Sequence, residues 1–317
     1  MANIDALTAD LYASRERFLA LVADIRPDLH RYCARMTGSV AVGEDVVQET
    51  LAHAYYALPE IHTLPPLRSW LFKIAHRRSI DHLRRYDRRM GQPLEAVMNT
   101  AADDADSPED VVAREEATRA ALSAFLDLAP AQRSCVILKD VLSHSVEEIA
   151  ELFGLTVPAV KSALHRGRER LRAQEPPSRE HKEAAKGSVS PEVVRYATLF
   201  NARDWDGVRA MLAEDVRLDL VSRSRRSGKQ EVSGYVDQYA RHEGWRLVPA
   251  WLEGREVVAA FRDAGDERPG YFIELTLADG QVTAIRDFRY VPYIAAEAAI
   301  ELAEETATTR STPPKDR

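Results

Sequence analysis

The segment from Ser145 to Arg172 constrains the fold most, because its pattern predicts two helices joined by a tight turn. In the first helix, apolar residues recur at the spacing of one buried helical face. Ser145 and Glu148 have the spacing of a capping box, which marks the start of this helix. Gly154 supplies the turn, and Thr156 is the predicted N-cap of the second helix.

The second helix of this segment separates apolar from basic residues. Its apolar side contains Val160, Leu164 and Leu171. The side predicted to face outward contains Lys161, Ser162, His165, Arg166, Arg168 and Arg172. Such a helix fits the major groove of DNA, with its N-terminal residues on base edges and its arginines on phosphates. The alternative is a solvated basic helix in an ordinary helical bundle.

Length and composition limit the class of protein. A chain of 317 residues suffices for about two domains, or three small ones. It contains no secretory signal and no apolar run near the ~18 residues of a spanning helix, so we expect a cytoplasmic protein with no membrane partner. Cys33 and Cys135 lie far apart in helical patterns, so we expect reduced core thiols, no zinc site and no cofactor.

The net charge of −7 is unevenly distributed. Residues 188–305 contain 15 basic and 21 acidic side chains, and Glu95 to Glu116 contains eight acidic residues against Arg114 alone. The remaining charge is basic and lies in two helical blocks. A nucleic-acid partner therefore stays compatible with the overall negative charge, because the local footprint decides binding.

The first basic block runs from Arg68 to Arg89 and interleaves basic residues with Trp70, Phe72 and Tyr86. This composition suits single-stranded nucleic acid, because bases stack on aromatic rings while cations follow the backbone. The alternative is that Trp70 and Phe72 belong to the core.

A helical pattern from Glu44 to Leu58 precedes that block. One of its faces is apolar, and the opposite face contains Asp45, Gln48, Glu49 and Tyr56. Acidic groups would repel phosphate, so this face suits a basic protein partner. A solvated face is the alternative.

These segments together resemble a known family. DVVQET followed by LRSWLFKIAHRRSIDHLRR is similar to region two of bacterial extracytoplasmic-function sigma factors, and LAPAQRSCVILKDVLSHSVEEIAELFGLTVPAVKSALHRGRERLR is similar to their region four. The resemblance covers about residues 15–174. It implies two all-α domains, a helical bundle and a helix-turn-helix, and it implies core RNA polymerase and promoter DNA as partners.

The resemblance also implies roles for individual residues. Those expected to face core polymerase are Asp45, Gln48 and Glu49. Those expected at the minus-ten element are His62, Thr63, Arg68, Trp70, Lys73, Arg77, Arg78, Arg84 and Arg85. Those expected at the minus-thirty-five element are Val157, Pro158, Lys161, Ser162, His165, Arg166 and Arg168.

Two connecting segments complete this part of the chain. The resemblance implies that the segment from Glu60 to Pro66 forms the loop that captures a flipped base, and its proline pair restricts the backbone. A plain helix connector is the alternative. The acidic stretch within residues 90–116 predicts a flexible linker. The resemblance implies that this linker follows channels of the polymerase, and a plain tether is the alternative.

The pattern changes class after the polar stretch that follows Arg172. Helices are predicted around residues 193–200, 205–212 and 232–239, and strands at 216–221, 245–252, 255–262, 270–278 and 281–291. Asp279–Gly280 is a hairpin signal. The predicted fold is an α+β cone with an antiparallel sheet. Residues 189–295 resemble the SnoaL-like branch of the nuclear-transport-factor-2-like (NTF2-like) superfamily.

The predicted division of the chain is region two at residues 1–90, an acidic linker at 91–116, region four at 117–175, a linker at 176–188, the NTF2-like domain at 189–296, and a helical then disordered tail at 297–317. The predicted fold class is therefore multidomain, with two all-α domains before the α+β domain.

The NTF2-like fold predicts a pocket, in which a small-molecule ligand is an open expectation. Its candidate residues are Trp205, Asp219, Tyr235, Trp251, Asp287 and Tyr290. Three functions remain open at this point. The first is a sigma factor whose C-terminal domain regulates it, and we expect no enzymatic activity in that case. The others are a ligand-sensing helix-turn-helix regulator and an enzyme acting in the pocket.

Overall fold

The computed structural model describes residues 13–61, 63, 65–90, 121–173, 188–263 and 265–303, without the side chains of residues 86–90. The chain divides into two compact units, Met1–Pro176 and Pro177–Arg317, here called unit 1 and unit 2. The predicted acidic linker and His62 lie outside the described residues. In the described part, no helix is long and apolar enough to cross a membrane.

Unit 1 is helical throughout its described residues. Residues 13–21 are helical, and short 3-10 turns cover Leu58–Glu60 and Leu122–Asp127. The main helices are α1 (Arg26–Thr37), α2 (Val40–Ala57), α3 (Leu67–Met90), α4 (Pro130–Val136), α5 (Val146–Phe153) and α6 (Val157–Arg172). A π-helical turn, Ile137–Val141, extends α4.

The α1–α2 corner is tight for two local reasons. Gly38 ends α1 with φ 74°, and the Ser39 side chain caps α2 by accepting the backbone N–H of Val42. Gly43 then lies against α1, since a Cβ at this position would stand 2.6 Å from the backbone of Ala34. The two helices therefore pack at a distance that only glycine permits here.

The two sigma-like parts of unit 1 share one hydrophobic core. Leu29 and Phe72 from the first part and Phe125 and Ile137 from the second are all fully buried in it. Burial raises the pKa of both Cys33 and Cys135 to about 12. Both thiols are therefore protonated core groups, as the sequence predicted.

Unit 2 combines four helices with one seven-stranded sheet in its described residues. Its helices are α7 (Pro191–Asn201), α8 (Trp205–Ala210), α9 (Lys229–Ala240) and α10 (Tyr293–Glu297). Its strands are β1 (Leu212–Leu220), β2 (Ser224–Ser227), β3 (Arg246–Leu252), β4 (Arg255–Phe261), β5 (Tyr271–Ala278), β6 (Gln281–Asp287) and β7 (Ile300–Leu302). The fold class, helical domains followed by an α+β domain, is confirmed.

The sheet differs from the antiparallel prediction at β1. The strand order is β2-β1-β6-β5-β4-β3-β7, and β1 pairs with β6 in parallel while the other neighbours are antiparallel. This pairing joins strands that are distant in sequence, so no hairpin signal in the sequence predicts it. The hairpin at Asp279–Gly280 is as predicted, with φ values of 51° and 74°.

The C-terminal tail also differs from its prediction. Residues 297–317 were expected to begin as a helix, but Ile300–Leu302 form β7 on the edge of β3. The backbone N–H of Ala303 donates to Pro249 O at 2.9 Å, which extends this pairing. An open strand edge thus determines the conformation of the segment, because it offers backbone partners that helix propensity does not outweigh.

Candidate nucleic-acid interface

The helix-turn-helix of α5 and α6 is built by local hydrogen bonds. The Ser145 N–H donates to Glu148 Oε2 at 2.8 Å, and the Glu148 N–H donates to Ser145 Oγ at 3.0 Å, which is the predicted capping box. The first of these bonds is the main reason that the pKa of Glu148 lies below its usual range. Gly154 has φ 66°, and Thr156 Oγ1 accepts the Ala159 N–H at 3.3 Å.

Fewer residues of α6 are exposed than the sequence predicted. Pro158 and His165 are exposed, and Val157, Lys161 and Arg166 are half-buried. His165 lies 3.5 Å from the Glu169 carboxylate, one turn further along. Lys161 and Arg166 therefore lie beside this exposed ridge.

Two residues of α6 do not lie on the predicted face. Ser162 is 4% exposed and belongs to the inner side of the helix. Arg168 turns toward Asp140, with Nη2 and Nε at 2.6 and 2.9 Å from the two carboxylate oxygens. The Asp140 side chain is fully buried, so its carboxylate needs the charged hydrogen bonds that Arg168 donates. Periodicity alone did not reveal it, because Asp140 lies outside both helices.

The basic side of α3 forms a second charged surface. Lys73, Arg77, Arg84 and Arg85 are exposed along it. The partly buried Arg78 donates to His53 Nδ1 at 3.0 Å. Arg68, the first basic residue of α3, differs from these residues because it is paired within the protein.

Arg68 is tied to neighbouring helical residues. Its Nη2 donates to Asp28 Oδ2 at 2.5 Å, and its guanidinium lies 5.5 Å from the centre of the Phe72 ring. Phe72 is fully buried, and Trp70 is half-buried against the same core. The core alternative is therefore right for Phe72, whereas Trp70 keeps part of its ring accessible. Thr63 is exposed in the preceding loop.

The acidic face of α2 lies beside this basic surface. Glu49 and Tyr56 are exposed, and Asp45 and Gln48 are half-buried. Glu49 stands 3.7 Å from Arg85, and both side chains are about half exposed, so water weakens this pair. The Nε2 atom of Gln48 is buried without a hydrogen-bond partner in the described part of the chain. This face thus combines negative charge with an exposed aromatic ring.

Several polar residues that the sequence did not single out join the two parts of unit 1. The Arg133 guanidinium donates to the carbonyl oxygens of Met36, Leu126 and Leu128 at 2.5 to 3.0 Å. Tyr32 Oη lies 2.8 Å from His76 Nδ1 and 3.2 Å from Ser134 Oγ.

His76 lies at the centre of this junction. Its ring is 4.4 Å from that of Phe153, and burial lowers its pKa to about 4. A neutral imidazole is therefore part of the packed structure. The neighbouring His144 ring packs edge-on against Phe72, and burial lowers its pKa as well.

Unit 2 contains a buried cluster of one carboxylate and three tyrosines. Asp287 Oδ2 accepts hydrogen bonds from Tyr235 and Tyr239 at 2.8 Å each, and Oδ1 accepts the Arg289 N–H at 2.8 Å. Tyr239 Oη also lies 2.7 Å from Tyr271 Oη. Burial raises the pKa of Asp287 and of the three tyrosines. The polar groups of this cluster are hydrogen-bonded to one another, and its tyrosines belong to the hydrophobic core of unit 2.

Two of the other predicted pocket residues, Trp205 and Trp251, pack against the same hydrophobic core as Tyr235. Trp205 packs edge-on against Phe200, and Asp219 lies 3.6 Å from Arg225 on the neighbouring strand. Trp251 is half-buried on β3, and Tyr290 is 40% exposed. Of the six predicted residues, only Tyr235 and Asp287 are in hydrogen-bond contact in the described structure.

Comparison with known proteins identifies both parts of unit 1. Residues 21–89 match the family model Sigma-70 region 2, and residues 118–171 match Sigma-70, region 4. The chain is 29% identical over 279 residues to the ECF RNA polymerase sigma factor SigG of Mycobacterium tuberculosis, which covers 80% of this chain and 75% of SigG. It is 31% identical over 177 residues to SigD of Mycobacterium bovis, covering 54% of this chain and 82% of SigD.

A solved structure is similar over most of the chain. The crystal structure of the extracytoplasmic-function sigma factor SigJ of Mycobacterium tuberculosis has a TM-score of 0.34 and 22% identity, and it covers 85% of this chain and 95% of SigJ. The two sigma-region matches contain both basic helices described above, and the SigD match covers most of a sigma factor. The chain belongs to the extracytoplasmic-function (ECF) family of RNA polymerase sigma factors.

Proposed function

We propose that this sigma factor recognises promoters with two separate helix faces and binds core polymerase with a third. The observation that carries the proposal is a basic helix face in each matched region, exposed along α3 and partly exposed on α6, with the acidic face of α2 beside the first. Neutralising phosphates requires exposed cations. A basic partner surface requires the opposite charge.

The minus-ten element is assigned to the exposed side of α3 and the loop before it. Lys73, Arg77, Arg84 and Arg85 would follow the DNA backbone, and Thr63 would lie near an extruded base. Base extrusion costs a few kcal/mol, which stacking in a protein pocket offsets. The accessible part of Trp70 supports such stacking, whereas buried Phe72 supports only the helix.

The minus-thirty-five element is assigned to the N-terminal half of α6. Its exposed ridge of Pro158 and His165, flanked by Val157, Lys161 and Arg166, fits the major groove. Arg168 is left out of this set, because its guanidinium is engaged by Asp140. We assign it a positioning role instead.

Core polymerase is assigned to the face of Asp45, Gln48 and Glu49. The negative charge of Asp45 and Glu49 supports a partner with a basic surface there. Charge complementarity of this kind accelerates association and selects the partner more than it adds affinity.

Unit 2 is assigned a modulating role in transcription. The SigG match covers 80% of this chain and therefore extends beyond unit 1, which supports a shared arrangement of sigma regions with a C-terminal domain. A small-molecule ligand in unit 2 remains a prediction. The internal pairing of Asp287 gives no support to a free catalytic base.

Run-off transcription with bacterial core polymerase tests the proposal. The full chain and residues 1–175 are each assayed on a promoter library, and selective initiation by either form supports sigma activity. A difference between the two forms gives the sign of the effect of unit 2. Equal output from both would overturn the modulating role.

A charge-reversal variant tests the partner assignment. D45K/E49K is expected to abolish co-elution with core polymerase while its circular dichroism spectrum is unchanged. E243K/E267K is the matched control, because both residues are exposed in unit 2 and the charge change is the same. Undiminished co-elution of D45K/E49K would contradict the α2 assignment.

A further inference from the structure

One end of the sheet in unit 2 carries a group of arginines around an exposed tyrosine. We call it the Arg223–Tyr290 surface, and its members are Arg223, Arg225, Arg289 and Tyr290. The backbone places them together, because β1 and β6 are paired up to Leu220 and Asp287, and the Val221 N–H donates to Asp287 O at 3.0 Å. The turn after β1 and the segment after β6 therefore lie side by side.

Two of these guanidinium groups share one aromatic ring. The Arg223 guanidinium lies 5.7 Å and the Arg289 guanidinium 5.4 Å from the centre of the Tyr290 ring. Cation–π attraction holds each in place, but it does not neutralise the charge. Tyr290 is 40% exposed and Arg223 is exposed, whereas Arg289 is half-buried and its guanidinium also lies 5.3 Å from the centre of the Tyr239 ring.

The Arg289 guanidinium interacts electrostatically with the buried Asp287 carboxylate, whereas little negative charge opposes Arg223 and Arg225. In the described part of the chain, Arg223 forms no ion pair with a carboxylate. Arg225 lies 3.6 Å from Asp219, but the Arg225 side chain is 78% exposed, so that contact is weak. Asp219 is also approached by Arg286, whose Nε is 4.0 Å away. One carboxylate is thus shared by two arginines.

The strand that presents Arg225 is an edge. β2 is the first strand of the sheet order and pairs only with β1 among the described strands. In the register Asp219↔Arg225 and Leu218↔Arg226, Arg225 lies on the opposite face from the buried Leu218, whereas Arg226 lies on the same face as Leu218. A long ligand can therefore approach the exposed face and the turn without meeting another strand.

We infer that the Arg223–Tyr290 surface binds the phosphate backbone of DNA and adds a contact outside the two sigma regions. Planar guanidinium groups match phosphate geometry, and unneutralised arginines release counterions from DNA when they bind. An acidic peptide is the other class of polyanion. DNA is favoured because the sigma family works on DNA and because an exposed ring beside arginines is typical of nucleic-acid surfaces.

The salt dependence of DNA binding tests this inference in the full chain. The probe is a short duplex of random sequence without a promoter, titrated from about 50 to 200 mM salt. R223Q/R225Q removes two charges and keeps both side chains long. R195Q/R268Q is the matched control, because these arginines are exposed elsewhere in unit 2.

The expected result is a loss of about two in the slope of log affinity against log salt for R223Q/R225Q, with affinity lowered about tenfold or more at the lowest salt. The control is expected to keep the parental slope. Equal slopes for the two double variants would overturn the inference, and so would displacement of the duplex by poly-glutamate at equal charge. Since the probe contains no promoter, the result is independent of whether promoter-selective transcription is observed.

Discussion

The ion pair between Arg168 and Asp140 gives the sharpest test of how the recognition helix is held. Arg168→Met keeps most of the side-chain volume and removes the charge. The Asp140 carboxylate would then be buried without its guanidinium partner, and both of the 2.6 and 2.9 Å hydrogen bonds would be lost. We expect unit 1 to be destabilised, because an unpaired buried charge is costly.

The structure sets the expected size of this effect. The Asp140 side chain is fully buried and Arg168 is 17% exposed. Breaking a buried pair typically costs about 3–5 kcal/mol, and the partial exposure of Arg168 favours the lower end, about 3 kcal/mol. For a unit of this size, that corresponds to a fall in Tm of roughly 6–12 °C. D140N/R168M removes both charges and is expected to recover part of the loss, since no lone charge stays buried.

The parent, D140N, R168M and D140N/R168M form a double-mutant cycle. Urea unfolding followed by circular dichroism at the helical band measures the stability of each. The salt slope of binding to a minus-thirty-five duplex supplies a second measurement. A positioning residue leaves that slope unchanged, whereas loss of a phosphate contact lowers it by about one. Lys161→Gln is the comparison, and its slope is expected to fall. Additive stability effects, or a lower slope for Arg168→Met, would refute the reasoning.

Three further predictions address other buried groups. Because burial raises the pKa of Cys33 and Cys135 to about 12, both thiols are expected to resist a disulfide reagent until urea unfolds unit 1; rapid labelling in the native state would contradict their placement. The pKa of His76 is lowered to about 4 from 6.5, so the unfolded state takes up the proton first, and unit 1 should lose about 2–3 kcal/mol as pH falls from 7 to 4. Urea titrations should show a weaker pH dependence for His76→Gln, and an unchanged one would exclude His76. Asp287→Ala strands two buried tyrosine hydroxyls and should cost unit 2 about 2–4 kcal/mol, whereas Asp287→Asn keeps an acceptor and should cost less; equal losses in calorimetry would count against this.

Local signals predicted the helix-turn-helix well. Ser145 and Glu148, Gly154 and Thr156 all act within a few residues of their own position, so their hydrogen bonds can be inferred from spacing. Arg168 was assigned to the wrong side because its partner lies 28 residues away. Helical periodicity ranks faces by hydrophobicity, and a long basic side chain can still turn inward where a carboxylate is buried.

The contrast between local signals and partners that are distant in sequence also explains the result for unit 2. The hairpin at Asp279–Gly280 follows from two adjacent residues that tolerate positive φ. The parallel pairing of β1 with β6 and the addition of β7 to β3 depend on non-local backbone partners, which leave no local pattern. The predicted pocket residues were chosen by type. Trp205, Tyr235 and Trp251 share one hydrophobic core, whereas Tyr290 is 40% exposed.

The arginines of this chain show why a count of basic residues does not identify a DNA surface. Arg133 is 4% exposed and holds three carbonyl oxygens, and Arg168 holds a buried carboxylate. Removing Arg133 or Arg168 should lower the stability of unit 1, and DNA affinity should fall only as a consequence of that loss. Arg77 and Arg223 are exposed and have no carboxylate in ion-pair contact within the described residues, so their removal should change the salt slope first. Stability and salt slope measured on the same variants therefore separate arginines that build the fold from those available to bind phosphate.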